Sequence, residues 1–349
     1  MEVKEILKKL VSFNTIKDYQ NKEILDFAEE YLKKYNFKVL RIEKCLIAYN
    51  SEKPTVGFVG HTDTVDYNTW DGDPFSLYEE GDKLIGLGSC DMKGGIAAIL
   101  AAVSKLDLEK NKLAIYLTND EEIGFTGIKT IKDNIVPENI IIGEPTSNVP
   151  IYGTKGVLEF VVDFLGVKCH SSTPEKGKSA ILECVNFINE LQVYYNEVLK
   201  KDRVNNFSIP YTTMNIGMIN GGETVNSVPG KCSMTIDFRI AKEEHLVSII
   251  DSVNQISKKY ECNISIKNSV LPKINDSDIS FLEKLACKKE TKCYITEGSF
   301  IDKNFVILGP GPDTAHQKNE FISYNSLKKA EELYIKIIEF YNKKGRKDI

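Results

Sequence analysis

Histidine and acidic side chains recur in this sequence directly after short apolar stretches, and the pattern is typical of a metal centre. The chain of 349 residues has only four histidines, two of which lie in such positions. Two histidines with three or more carboxylates form a nitrogen and oxygen ligand set suited to a pair of divalent transition metals, with zinc favoured and cobalt or manganese compatible. The candidate residues are His61, Asp91, Glu121, Glu122, Glu144 and His316.

The first candidate, His61, follows the apolar stretch 55–60 in the segment GHTDTV, and Asp63 lies two residues later. Residues i and i+2 of an extended chain point the same way, so this carboxylate can reach the imidazole. A carboxylate on one ring nitrogen commonly orients a histidine that binds a metal through the other. A turn histidine beside an N-capping aspartate explains the segment equally well when it is taken alone.

Two adjacent glutamates, Glu121 and Glu122, follow the apolar stretch 112–118 in the segment NDEEIG. Open α/β sheets bind ligands at the carboxyl ends of their strands. Adjacent side chains diverge, so one glutamate can bind a cation while the other serves as a general base toward a water. A solvated acidic loop is the commoner meaning of such a run.

The remaining candidates also have ordinary explanations when each is taken singly. Asp91 precedes a predicted helix in GLGSCDMKGG and could be a helix cap. Glu144, in IIIGEPT, could be a helix-start acid, and His316, in GPGPDTAHQKNE, could be an exposed loop residue. A metal centre is favoured because all of these residues lie just past predicted strands or in the turns that follow them.

The elements that must position these residues alternate short apolar strands with helices. Continuous apolar strands separated by helices predict an α/β sheet that is buried on both faces. Two amphipathic helices are predicted before the first of these strands. The strands are expected at 55–60, 112–118, 139–143 and 305–311, and the main helices at 94–106 and 326–343.

The middle of the chain has a different pattern, in which polar and apolar residues alternate along two strands, 156–166 and 231–240. Helices are predicted after each of them, at 178–200 and 242–260. Helices over a few half-exposed strands indicate a small α+β module inserted into the larger domain. The expected domains are 1–154 with 265–349, and 155–264 as the inserted module.

Composition excludes several classes of protein. A chain with 42% hydrophobic and 27% charged residues is of the soluble globular class. The net charge of -5 provides no basic surface, so nucleic acid is not an expected partner. Neither a membrane-spanning run nor the apolar stretch of a signal peptide is found, so no membrane contact and a cytoplasmic location are expected. Eight cysteines without a CxxC pair argue against a zinc ribbon or a disulfide framework.

Five motifs occur in an order and at separations that resemble the M20 family of dinuclear zinc peptidases and deacylases: HTDTV, GLGSCDMKGG, NDEEIG, GEPT and GPG…AHQKNE. The best match is the branch of acetylornithine deacetylase and succinyl-diaminopimelate desuccinylase. The resemblance covers nearly the whole chain. It implies an α/β, phosphorylase/hydrolase-like, zinc-dependent catalytic domain with an inserted ferredoxin-like α+β domain that serves as lid and dimerisation domain.

The resemblance also implies a role for each motif residue. Glu121 matches the general base and Asp63 the residue that orients a histidine ligand, and the peptide bond between Asp91 and Met92 is expected to be cis. The implied cofactors are two divalent metal ions, zinc before cobalt. Their implied ligands are Asp91, which bridges both ions, His61 and Glu144 on one ion, and Glu122 and His316 on the other.

The inserted module contains three further matches to the family. His170, in GVKCHSSTPEKG, resembles the histidine that reaches into the partner's site across a homodimer and donates to the oxyanion. Asn226 and Arg239 match residues that hold the α-carboxylate of the substrate, which an arginine fork can bind through two bonds. Without the resemblance, His170 would be a surface residue and Arg239 a salt-bridge residue. His245 matches nothing and is predicted to be a surface residue on the polar face of a helix.

The implied reaction is hydrolysis of an amide bond in a small N-acyl amino acid. In the resembling branch, desuccinylases carry an Asp-Gly-Arg-Phe type sequence where this chain has TEGSF, at 296–300, whereas acetylornithine deacetylases carry Thr-Glu-x-x-Phe. A succinyl group needs a cation for its distal carboxylate, so the missing arginine favours an acetylated basic amino acid such as N-acetylornithine. Lys155 could replace that arginine. Alternatives are a desuccinylase, a di- or tripeptidase of the same family, and a catalytically silent metal-binding protein.

Overall fold

A computed structural model describes residues 1–17, 21–67, 69–275, 280–286 and 289–344. Within them, no helix has the length and apolar character needed to cross a membrane. The helices are α1 (Val3–Val11), α2 (Asn21–Lys33), α3 (Lys93–Val103), α4 (Thr126–Ile131), α5 (Ala180–Tyr194), α6 (Glu243–Ser257), α7 (Ser280–Ala286) and α8 (Tyr324–Lys344). Strands β1 to β8 are Lys38–Ile42, Cys45–Tyr49, Val56–His61, Tyr78–Glu80, Lys83–Ile85, Leu113–Thr118, Asn139–Ile142 and Ile151–Thr154. Strands β9 to β16 are Gly156–Leu165, Thr213–Gly221, Lys231–Ile240, Cys262–Val270, Lys273–Ile274, Glu290–Lys292, Asn304–Ile307 and Phe321–Ser323.

The chain forms two compact units. The first comprises Met1–Tyr152, Asn275–Glu290 and Thr296–Ile349, and the second comprises Gly153–Ile274 and Thr291–Ile295. The sequence-based limit at 264 falls inside β12, which pairs along its length with β9 of the same unit. Strand pairing therefore carries the second unit further along the chain than the sequence pattern indicated.

The first unit is built on a sheet in which the strands follow the order β1-β2-β6-β3-β7-β15. The strands β6, β3, β7 and β15 run parallel, whereas the β1–β2 hairpin pairs with β6 in antiparallel fashion through β2. Every residue of β3 and β6 is buried. Consecutive side chains point to opposite faces, so Phe58 packs in the core that contains α1, α3 and α8, while Val59 packs in the core on the α4 side. The predicted α/β sheet with two buried faces is confirmed.

The second unit is a four-stranded antiparallel sheet in the order β10-β11-β9-β12, with α5 and α6 packed on one face. The chain order is strand, helix, strand, strand, helix, strand, which with this strand order is the ferredoxin-like arrangement. Alternate residues of β11 are buried, and β10 lies at the sheet edge with most of its residues exposed. The prediction of an inserted α+β domain is confirmed.

The prediction for His245 is wrong. It lies in the first turn of α6 but is 5% exposed, because residues of the same unit cover it. Its Nδ1 is 2.6 Å from Oγ1 of Thr212 and its Nε2 is 3.0 Å from Oδ2 of Asp202. The helical pattern located this residue on a polar face but could not show that two polar partners from elsewhere in the chain pack against it.

Candidate metal centre

The candidate residues meet at one edge of the first unit's sheet because its strands run parallel. β3 ends at His61, β6 at Thr118 and β7 at Ile142, so the residues that follow each strand emerge on the same side. This edge carries His61, the 121–122 turn and Glu144. The convergence that the apolar stretches predicted is therefore produced by the pairing of the strands.

His61 is fully buried, and oxygen atoms face both of its ring nitrogens. Nδ1 lies 3.1 Å from the carbonyl oxygen of Asp63 and 3.5 Å from its Oδ1. Nε2 lies 3.0 Å from Oδ1 of Asp91 and 3.6 Å from Oε1 of Glu144. Burial opposes a charged ring, but the bonds to Asp63 and Asp91 prevail and raise the pKa of His61 well above its usual value. Nε2 therefore points at a pair of carboxylates, as expected of a metal-binding nitrogen.

Asp63 supports two parts of the centre at once. Besides facing His61, its Oδ1 accepts the backbone N–H of Glu121 at 3.3 Å and its Oδ2 that of Glu122 at 3.2 Å. Burial favours the neutral acid, but the hydrogen bond to His61 and these N–H donors keep the pKa of Asp63 below its usual value. The sequence predicted the contact with His61, and the structure adds the contact with the glutamate turn.

Asp91 lies between the two histidines. Its Oδ1 is the atom near His61, and its Oδ2 is 3.6 Å from Nε2 of His316. The same nitrogen of His316 is 3.0 Å from Oε2 of Glu122, a hydrogen-bonded contact that raises the pKa of His316 to about 9. The peptide bond between Asp91 and Met92 is cis, as the resemblance implied.

The backbone beside Glu144 is approached closely by two other segments, and only glycine fits at those points. A Cβ atom at Gly95 in α3 would lie 2.1 Å from the carbonyl oxygen of Gly143, and one at Gly309 would lie 2.2 Å from it. Real Cβ atoms essentially never lie so near a backbone oxygen. Gly95 therefore lets the helix pack against the loop that carries Glu144.

The side chains form two ligand groups that share Asp91. One contains His61, Asp91 and Glu144, and the other contains Asp91, Glu122 and His316; within each, one ligand atom per residue lies within 4.8 Å of the others. Imidazole nitrogen and carboxylate oxygen are the ligands that zinc and similar divalent cations accept. The donor set therefore fits two divalent cations with one carboxylate between them.

The electrostatics of the centre point to the same conclusion. Burial and the charges of neighbouring carboxylates raise the pKa of Glu121 and of Glu144 well above the usual value. Such crowding of acids is unfavourable unless positive charge is supplied, because ionised carboxylates at short range repel one another. Divalent cations bound between them would offset this repulsion.

Two buried carboxylates of this region were not among the predicted site residues. Glu297 is fully buried, its Oε1 accepts the hydroxyl hydrogen of Thr118 at 3.0 Å, and it forms a further acidic group with Glu121 and Glu144. Glu320 is 2% exposed and binds the loop that carries Asp91. Both occur inside quoted motifs, TEGSF and AHQKNE, so the available signal was an acid within a motif that carries the family resemblance.

Comparison with known proteins identifies the family. Acetylornithine deacetylase from Buchnera aphidicola (subsp. Acyrthosiphon pisum, strain Tuc7) is 31% identical to this chain over 96% of both sequences. Residues 152–262 match the model of the M20 peptidase dimerisation domain. The chain belongs to the M20 peptidase family. It is therefore a hydrolase of the M20 type.

Solved structures of other proteins share the fold. A tripeptidase from Staphylococcus aureus covers 98% of this chain and 98% of its own, with a TM-score of 0.81 and 19% identity. A dinuclear metal-binding peptidase of the M20 family from Bacillus subtilis also covers 98% of each chain, with a TM-score of 0.72 and 14% identity. At these identities the likeness concerns the fold alone.

Within the M20 dimerisation domain, His170 and Asn226 lie together. His170 forms an isolated β-bridge with Ser227, and the N–H of Ser171 donates to the carbonyl oxygen of Asn226 at 3.0 Å. Nδ1 of His170 is 2.7 Å from Oγ of Ser172, and the histidine and Asn226 are both exposed. The backbone segments that carry the two predicted residues are therefore adjacent.

Arg239 lies at the other end of the same sheet. It pairs in register with Val157 at the start of β9, whereas His170 follows the end of that strand at Leu165. At about 3.3 Å per residue the intervening strand spans about 26 Å. Nε of Arg239 is 2.9 Å from Oδ2 of Asp237, so Arg239 forms the salt bridge that was the alternative to a substrate contact. One copy of this domain cannot present Arg239 and His170 to a single small substrate.

Lys155, the alternative cation for a succinyl group, has a partner of its own. Its side chain is fully buried, Nζ donates to the carbonyl oxygen of Tyr211 at 2.5 Å, and it lies 5.7 Å from the centre of the Phe207 ring. Burial lowers its pKa, which weakens the case for an exposed positive charge. The structure therefore provides no support for Lys155 as a substitute arginine.

Proposed function

We propose that this M20 protein is a metal-dependent amidohydrolase that removes the acetyl group of N-acetyl-L-ornithine, giving L-ornithine and acetate. The proposal is carried by the two ligand groups that share Asp91 beside Glu121. Its substrate rests on the acetylornithine deacetylase relative and on the TEGSF segment, which lacks an arginine for a succinyl carboxylate. The bond between Lys155 and the backbone of Tyr211 adds support for an uncharged acyl group.

The proposed cofactors are two divalent cations, zinc first and cobalt second. His61 and Glu144 would hold one, Glu122 and His316 the other, and Asp91 both. When bound, the cations polarise the scissile carbonyl and lower the pKa of an attacking water. The dinuclear M20 peptidase of the same fold supports the number of ions.

Glu121 is the proposed general base. Its carboxylate lies in the group with His61 and Glu122 but is not needed to complete either ligand group that shares Asp91. Burial and the charges of Glu297 and Asp91 raise its pKa, and a carboxylate with a raised pKa is a stronger base toward the attacking water. Glu121 takes the proton of the attacking water and passes it to the departing amine.

Asp63 is the proposed positioning residue for both His61 and this base. Its contact with Nδ1 leaves Nε2 of His61 directed at Asp91, and its bonds to the backbone of residues 121 and 122 hold the turn in place. A base must lie within hydrogen-bond reach of its proton. Asp63 therefore contributes by geometry rather than by transferring a proton.

A hydrolysis panel tests the function directly. Purified protein supplied with zinc or cobalt is expected to hydrolyse N-acetyl-L-ornithine with the highest kcat/KM among N-acetylornithine, N-succinyl-diaminopimelate, other N-acetyl amino acids and dipeptides. The reason is that neither the TEGSF segment nor Lys155 offers a cation for a succinyl carboxylate. Exclusive turnover of the succinyl substrate would make the protein a desuccinylase, and exclusive turnover of dipeptides a peptidase. Bound metal without any hydrolysis would support a silent metal-binding protein.

We further propose a homodimer formed through the second unit. His170 and Arg239 match residues that contact one substrate, yet Arg239 lies beside the start of β9 and His170 follows its end. One substrate can contact both residues if the second subunit of the dimer supplies His170 and Asn226. β10 is an edge strand with exposed Met218, and α5 exposes Leu182 and Val193, so apolar surface is available for a two-fold interface.

Charge placed on this surface is expected to separate the dimer. In the double variant Val193→Lys and Met218→Lys, each copy brings lysines toward its symmetry mate, so sedimentation should report a monomer. Activity should fall more than about tenfold if His170 donates to the oxyanion in trans. Val247→Lys is the matched control, because Val247 is 58% exposed, the same as Met218, but lies on α6. A fully active monomer would contradict the trans role of His170.

A further inference from the structure

Glu320 has no role in the mechanism, yet it is among the best-connected carboxylates of the first unit. It lies four residues after His316 and directly before β16, and it is 2% exposed. Its Oε1 accepts the backbone N–H groups of Cys90 and Asp91, each at 2.8 Å, and its Oε2 accepts that of Gly88, also at 2.8 Å. Three backbone donors of one short loop thus converge on a single side chain.

The backbone around Glu320 also contacts the 86–91 loop and the turn that contains His316. The carbonyl oxygen of Glu320 accepts the N–H of Gly86 at 3.1 Å. On the other side, Oγ1 of Thr314 donates to the carbonyl oxygen of Phe321 at 2.6 Å and accepts its N–H at 3.0 Å, which closes the turn that contains His316. Glu320 therefore connects the loop of Asp91 to the turn of His316.

We propose that Glu320 is a positioning residue of the metal centre: its carboxylate holds the backbone of Asp91 in the place where one side chain can serve both ligand groups. This inference rests on the proposed metal centre. Oδ1 of Asp91 must meet His61 while Oδ2 meets His316, and a small rotation of the loop would break one of these contacts. Three backbone hydrogen bonds from the loop to this one carboxyl group resist that rotation.

A role in stability alone makes a different prediction from a role in positioning. Replacing Glu320 by glutamine keeps the shape of the side chain but turns one acceptor oxygen into an N–H₂ group that faces backbone N–H donors. If the carboxylate only stabilises the fold, the variant loses free energy of unfolding and binds cations as before. If it positions Asp91, cation affinity and ligand geometry change as well.

The test compares Glu320→Gln with Glu331→Gln in the full chain. Glu331 is a matched control, because it is 3% exposed and pairs with Lys105 at 2.7 Å, yet it lies within α8 and outside both ligand groups. Zinc stoichiometry and dissociation constants are measured by competition with a chromogenic chelator, and the visible absorption of the cobalt-loaded protein reports ligand geometry.

We expect zinc affinity to fall by about 10- to 100-fold in Glu320→Gln, with an altered cobalt spectrum, as is usual when a residue that supports a metal ligand is changed. Glu331→Gln should lower stability without moving either readout. Wild-type zinc affinity and cobalt absorption in Glu320→Gln would overturn the inference, even if that variant were less stable.

Glu320→Asp keeps the proposal testable if the glutamine variant does not fold. It retains the carboxyl group but shortens the side chain by one methylene, so zinc binding is expected to weaken as in Glu320→Gln. Wild-type zinc affinity and cobalt absorption in this variant would overturn the proposal. Failure of the proposed function is recognised separately, because these measurements use no substrate. If the wild-type chain binds zinc but hydrolyses nothing, the proposed function fails. The role of Glu320 is then still decided by the zinc affinities of the wild-type chain and the variants.

Discussion

Replacing Glu121 with glutamine is expected to lower kcat by about 10²- to 10⁴-fold, the usual contribution of a general base. The substitution preserves the size of the side chain but removes its capacity to accept the proton of the attacking water. Neither ligand group that shares Asp91 contains Glu121, so the number of bound cations should stay the same. Metal analysis and initial-rate kinetics on the same preparation measure both quantities.

A neighbouring carboxylate is the appropriate control for this experiment. Asp120 precedes Glu121 in the same turn, and its Oδ2 accepts the hydroxyl hydrogen of Thr126 at 2.6 Å. Its φ is +63°, a conformation that asparagine also tolerates, so Asp120→Asn should fold normally and retain activity. Unchanged turnover in Glu121→Gln would show that the base has been assigned to the wrong residue.

Replacing Asp91 with alanine is expected to have the second large effect, because its carboxylate belongs to both ligand groups. Removal of that side chain leaves His61 with Glu144, and Glu122 with His316, which are two ligands each. A divalent transition metal is normally held by three or four protein ligands. Zinc content should therefore fall at both positions, and activity should drop by at least about 10³-fold, since the electrostatic stabilisation of the reaction is lost as well.

A variant confined to one ligand group distinguishes a shared carboxylate from an ordinary ligand. His316→Ala removes a member of the second group only, so one tightly bound zinc ion should remain in that variant. Elemental analysis after dialysis compares the two proteins. If Asp91→Ala retained two zinc ions, Asp91 would not be the bridging ligand and the proposed arrangement of the centre would be wrong.

The main sheet was predictable because its strands are apolar along their whole length. β3, β6 and β7 appear in the sequence as short uninterrupted apolar runs, and burial on both faces requires such runs. Strands with exposed residues left a weaker signal. β10 has an irregular burial pattern with a register shift between Ile216 and Met218, so the sequence pattern did not predict it.

Single buried polar residues were the hardest to interpret from sequence. His245 was predicted on the surface, because its two partners, Thr212 and Asp202, are more than thirty positions away. Glu320 had no assigned role for the same reason, since its donors lie in the 88–91 loop. A buried acid or histidine is stable only with partners, and these partners are brought near by the fold rather than by local sequence.

The sequence by itself determined which side chains could bind cations and that they follow the strands, because residue type and apolar runs are local properties. It also determined the inserted domain, whose strands alternate where the others do not. Only the tertiary structure decided how far Asp91 lies from His61 and His316, that Asp63 holds the turn of the base, and that Arg239 and His170 lie at opposite ends of one sheet. These relations depend on strand order and on loop packing between segments far apart in the chain, which no local pattern of residues encodes.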